Sequence, residues 1–162
     1  MISDRRLYQE VIQPLFIFVS LVHNIRYLWL NFDFYIMAFS VTVLGSNSSI
    51  PSPSRNSSSQ LVKLDGRLFL VDCAEATQIQ LRKFHIKIQS IEAVFISHLH
   101  GDHYFGIMGL ISTLHLLGRT KELHVFAPPE LENIIETHHK ATNKKLHFTL
   151  IFHKLDEDAD PV

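Results

Sequence analysis

A mixed α/β fold is predicted for this chain, and three observations predict it. Residues 39–71 alternate apolar and polar side chains about an Asp-Gly pair, the pattern of antiparallel strands. Residues 93–152 then alternate strand-like runs with helical spacing, the order of strand–helix–strand units. Hydrophobic residues make up 46% and charged residues 19% of the 162, a globular composition at a length that supports one domain with a core.

The elements follow in order. Residues 11–22 are mostly apolar behind Arg5 and Arg6, but Pro14 interrupts the run, and His23, Asn24, Arg26, Asn31 and Asp33 end it. That falls short of the roughly 20 apolar residues a spanning helix needs, and no small-residue cleavage site follows. Residues 1–36 are therefore expected to be an extension ahead of a native start at Met37, with no stable membrane association. Phe39, Val41 and Val43 alternate toward Gly45 as a half-buried strand. Eight serines and two prolines crowd residues 46–59, which reads as a loop. Residues 60–64 and 67–71 flank Asp65-Gly66, a two-residue hairpin turn whose positions need positive φ.

A short helix is expected over residues 77–84 and a buried strand over Ala93-Val94-Phe95-Ile96, ending at Ser97. The stretch after it is polar and is expected to be a loop through His103. Residues 104–117 carry apolar side chains at helical spacing, with Gly118 at the C-terminal cap. A strand over 123–126, a stop at Pro128-Pro129 and a helix over 130–139 come next. Leu146, Phe148, Leu150 and Phe152 alternate and predict a last strand over 145–152. An acidic stretch at 156–160 follows closely, so residues 37–162 read as a partial domain that is cut off soon after a strand.

Composition narrows the function. Fifteen basic and 16 acidic side chains give a formal net charge of −1, which leaves no electrostatic footprint for a polyanion. The single cysteine, Cys73, excludes an intrachain disulfide and fits a reducing, cytoplasmic setting. Eleven histidines raise the question of metal binding.

The informative segment is His98-x-His100-x-Asp102-His103, four potential ligands in six residues directly after a buried strand. Imidazole and carboxylate suit zinc and similar divalent ions. In an extended segment His98 and His100 point to one side and can reach one ion. Gly101 allows a turn that lets Asp102 and His103 face a second. The bland reading is a histidine-rich surface loop, which a packed ligand cluster at the mouth of a buried strand disfavours.

This motif after a hydrophobic strand resembles the signature of hydrolases of the metallo-β-lactamase fold. FISHLHGDHYFGIMG, residues 95–109, resembles the ribonuclease Z family in particular. LGSNSSIPSPSRNSSS, VDCAEATQIQLRK and LLGRTKELHVFAPPEL resemble that family in the right order. The resemblance implies an αββα sandwich of which this chain supplies roughly the amino-terminal half. It implies two Zn2+, one held by His98 and His100 and the other by Asp102 and His103, with Asp102 also the general base. Asp72 resembles the family's supporting carboxylate, which would accept an imidazole N–H and fix its tautomer. The implied activity is removal of the 3′ trailer from precursor tRNA, by a homodimer in intact members.

Two departures stand out. The family's glycines are replaced by Ala74 and Ala76, and alanine at positive φ costs about 1 kcal/mol or more. A catalytic zinc takes three protein ligands plus water, whereas this motif offers two per ion. His115, His124, His138, His139, His147 and His153 read as surface histidines rather than substitutes. Two rival expectations remain: another hydrolase of this fold acting on esters or thioesters, and a non-catalytic fragment.

Overall fold

A computed structural model describes residues 38–48, 50, 52–143 and 145–155. The chain divides after Ile36, and the described residues all belong to the unit that follows. The expectations for residues 1–36, for Met37 as a start and for the acidic stretch at 156–160 lie outside the described residues. Among the described residues no helix is long and apolar enough to cross a membrane.

Six strands form one sheet in sequence order. Strand β1 is Phe39–Gly45, β2 is Ser59–Leu64 and β3 is Arg67–Val71. These three pair antiparallel, and the β2–β3 turn is the expected Asp-Gly pair, with φ 46° at Asp65 and 82° at Gly66. Helix α1, Thr77–Lys83, leads through a short 3-10 turn to β4, Ile91–Phe95. Helices α2, Gly101–Tyr104, and α3, Ile107–Leu116, precede β5, Leu123–Ala127. Helix α4, Glu130–Ala141, precedes β6, Leu150–Lys154. Strands β3 to β6 run parallel.

Because successive parallel strands are laid down side by side with one crossover hand, their helices fall on one face of the sheet. The core shows this directly. Leu81 of α1, Ile107, Leu110, Ile111 and Leu114 of α3, and Leu131 and Ile135 of α4 are buried against Leu61, Leu70, Val94, Leu123 and Val125 of the sheet. The opposite face is aromatic at its centre. Phe95 stacks on Phe126 at 4.6 Å between ring centroids, and Phe126 on His153 at 4.1 Å.

Three expectations need correction. The helix expected over 104–117 is two helices broken at Phe105-Gly106, and the preceding polar stretch is loop only as far as His100. The break lies where the backbone is pinned: Gly106 N–H donates to Cys73 O at 2.8 Å. A Cβ on Gly106 would collide with the Ala74 carbonyl. Third, the last strand begins at Leu150, and Leu146 and Phe148 precede it. Phe148 is buried as an anchor beneath the Arg119 guanidinium, 5.6 Å from its ring centroid, so its alternation with Leu146 reports anchoring and not a pleat.

Arg119 ties down the end of the sheet where the parallel strands begin. It is 3% exposed, and its guanidinium donates to the carbonyls of Lys121 at 2.7 Å, Gln89 at 2.9 Å and Glu122 at 2.5 Å. Burial pulls its proton affinity below the ordinary arginine value, with the charge of Glu92 acting against that.

Candidate metal centre

The carboxyl ends of β3 and β4 place the motif residues beside one another, as parallel sheets do with the loops at that end. Asp72 directly follows β3, and its backbone turns into the left-handed region at φ 57°. Its N–H donates to Phe95 O at 2.7 Å, and Ser59 Oγ donates to its carbonyl at 3.0 Å. Across the gap, Cys73 N–H donates to His103 O at 2.7 Å. Together with the Gly106 bond, this clamps the α2–α3 junction onto the loop after β3.

Asp72 is 4% exposed, and its carboxylate collects four donors. These are Ser97 N–H at 2.9 Å and Ser97 Oγ at 2.8 Å on Oδ1, and Ser58 Oγ at 3.3 Å and His103 Nδ1 at 2.7 Å on Oδ2. A carboxylate only accepts, so the His103 Nδ1 carries the proton and its Nε2 is left as the donor atom for a cation. Ser97 Oγ also lies 3.0 Å from His98 Nδ1.

The three motif imidazoles form one patch, with ring centroids 4.6 Å apart for His98 and His100 and 4.0 Å for His98 and His103. Asp102 Oδ2 lies 3.6 Å from His103 Nε2. Two donors on one tetrahedral zinc, each at about 2.0–2.1 Å, are about 3.3 Å apart, so this pair is spaced to share an ion. The donor chemistry therefore fits a divalent metal. Among the described residues, however, no three His, Cys, Asp or Glu side chains converge on one point.

Gly101 works differently from the sequence reading. It opens α2, and a Cβ there would collide with the Phe105 ring. Ser58, Ser59 and Ser97 were missed as members of the site. The signal available was the serine-rich stretch ending at Ser59 and the hydroxyl immediately before His98, both of which also read as ordinary loop.

The other histidines lie away from this patch in the sequence, and among the described residues two pairs of them meet across the fold. His124 Nδ1 and His153 Nε2 are 2.9 Å apart on β5 and β6, half-buried on the aromatic face. His115 and His147 rings are 4.1 Å apart, and His147 N–H donates to His115 Nδ1 at 3.3 Å. His153 lies within β6 and His147 in the bend before it, the reverse of their expected placement. His138 is exposed and His139 half-buried on the last turn of α4.

Sheet, helices and carboxyl-end site together define a chain of the metallo-β-lactamase fold. The profile of a family described as "Anti-Pycsar protein Apyc1" matches residues 39–154, and the chain belongs to that family. The expected resemblance to ribonuclease Z is borne out as well. A curated ribonuclease Z from Bacteroides fragilis is 45% identical over 118 residues, 73% of this chain and 39% of that protein. Among solved structures, human tRNase Z, short form, superposes with a TM-score of 0.68 at 36% identity, covering 74% of this chain and 47% of that one. A metallo-β-lactamase fold protein, YhfI from Bacillus subtilis, gives 0.57 at 27% identity, with 74% and 47% covered. The chain thus spans well under half the length of the B. fragilis relative.

Proposed function

We propose that this chain carries the metal-bearing amino-terminal part of a zinc-dependent endoribonuclease that removes the 3′ trailer from precursor tRNA. The observation that carries the reading is the Asp72–His103–Asp102 line: a buried carboxylate takes the Nδ1 proton of His103 at 2.7 Å, while Nε2 faces Asp102 at 3.6 Å. In this reading His98 and His100 hold one Zn2+, and Asp102 and His103 hold the other. Bound there, the pair of cations would lower the pKa of a water and offset charge on the phosphodiester. Asp102 takes the proton of the attacking water as general base. Asp72 holds the His103 ring in the tautomer that exposes Nε2. In this reading the remaining donors come from the part of the longer relatives that this chain does not span, and the intact protein pairs as a homodimer. In this reading residues 1–36 are an extension and residues 37–162 the domain that carries the site. A cytoplasmic setting is supported by a buried, free Cys73.

A second reading, a non-catalytic fragment, is favoured by the lack of a three-donor convergence among the described residues. The test is metal analysis of the purified chain together with a precursor tRNA cleavage assay in zinc. Two tightly held zincs per chain, cleavage at the 3′ trailer and loss of cleavage in Asp102→Ala support the nuclease. Weakly held, substoichiometric metal and no turnover support the fragment. Two zincs with hydrolysis of a simple ester or thioester and intact tRNA place the substrate elsewhere.

A further inference from the structure

We infer that Ser97 is a positioning residue that sets the tautomer of His98, so that Nε2 of His98 is presented to a metal. The inference rests on the metal centre proposed above. The argument is one of proton counting at three atoms.

Ser97 Oγ lies 2.8 Å from Asp72 Oδ1, 3.0 Å from His98 Nδ1 and 3.3 Å from His103 Nδ1. A serine hydroxyl has one proton to give and two lone pairs to receive with. The Asp72 carboxylate has none to give. Were the Ser97 proton directed at His98, bare oxygen lone pairs of Ser97 and Asp72 would face each other at 2.8 Å beside a buried negative charge. That contact is repulsive, and it removes a charge-assisted bond, the stronger kind. The Ser97 proton therefore goes to Asp72 Oδ1.

The consequence passes to His98. With its proton committed to Asp72, Ser97 Oγ can only accept from His98 Nδ1 at 3.0 Å. His98 then carries its proton on Nδ1, and Nε2 is bare. The His103 Nδ1 proton is committed to Asp72 Oδ2 at 2.7 Å. One buried carboxylate thus sets two imidazoles, His103 directly and His98 through the Ser97 hydroxyl. Ser97 is held for this: its own N–H donates to the same Oδ1 at 2.9 Å, which fixes the backbone from which the hydroxyl reaches both partners.

The test uses the full 162-residue chain, 15N-labelled and metal-free, at a pH where imidazoles are neutral. Long-range proton–nitrogen correlation spectra report which ring nitrogen carries the proton, and zinc titration reports affinity. The wild-type chain is expected to show His98 protonated at Nδ1. Ser97→Ala moves that proton toward Nε2 and weakens zinc on the order of 10- to 100-fold, as loss of a supporting partner does. Ser97→Thr keeps the hydroxyl and restores both readouts. His98 protonated at Nε2 in the wild type, or an unchanged His98 tautomer in Ser97→Ala, overturns the inference; should Ser97→Ala fail to fold, the wild-type spectrum decides. A wild-type chain with the stated tautomer that takes up no zinc supports the relay and overturns the metal reading. Zinc uptake with Ser97→Ala indistinguishable in both readouts overturns the relay alone.

Discussion

Ala76 holds its backbone at φ 63° immediately before α1, where a Cβ is strained by about 1 kcal/mol or more. Ala76→Gly is therefore expected to stabilise the chain by about 1 kcal/mol, read as a rise in the urea midpoint with an unchanged slope. Ala74 does not adopt positive φ, so the same substitution there brings no such relief. Both alanines were legible from the sequence as departures, but which of them is strained was not, because φ depends on how the loop closes onto α1. The four motif residues are adjacent in the chain, which is why they could be singled out. Asp72 was legible only through resemblance. Its serine partners at 58, 59 and 97 come from other segments, and no local pattern links them to a carboxylate.

At the scale of elements, the β2–β3 hairpin and the helices α1 and α4 could be read because their signals are local: a turn dipeptide, and apolar spacing on one chain segment. The split between α2 and α3 could not, since it follows from the Cys73 carbonyl taking the Gly106 N–H, with the Ala74 carbonyl packed against Gly106. Gly106→Ala drives a Cβ into the Ala74 carbonyl and is expected to destabilise by about 1–3 kcal/mol, the range for overpacking. Amide exchange should rise first at Cys73 and Gly106, whose N–H groups form the clamp. Unchanged exchange at both positions would mean that the junction is not fastened there. β6 was misplaced for a related reason. Phe148 is apolar for the sake of Arg119, which approaches from 29 residues earlier in the sequence, and periodicity cannot tell such an anchor from a pleated strand residue.

Across the whole molecule, stability should carry an alkaline signature from Cys73. Burial pushes its thiol up to about 12, the Thr77 hydrogen bond opposing this and the Asp72 charge adding to it. An unfolded thiol titrates near 8.5. Above that pH the unfolded chain releases a proton that the native chain keeps, so stability falls as pH rises toward 12, by at most about 1.4 kcal/mol per unit. Urea unfolding between about pH 8 and about pH 11 should show this loss, reduced in Cys73→Ala; parallel curves for the two proteins would rule it out. The parallel strands also set a division of labour. Arg119 fastens the ends where those strands begin, while every motif side chain gathers where two of them finish. The buried anchor and the candidate metal centre thereby lie at opposite poles of the described parallel strands. Selection could strengthen one pole without renegotiating the other, and an engineer seeking a hardier variant should start at the pole that holds no histidine motif.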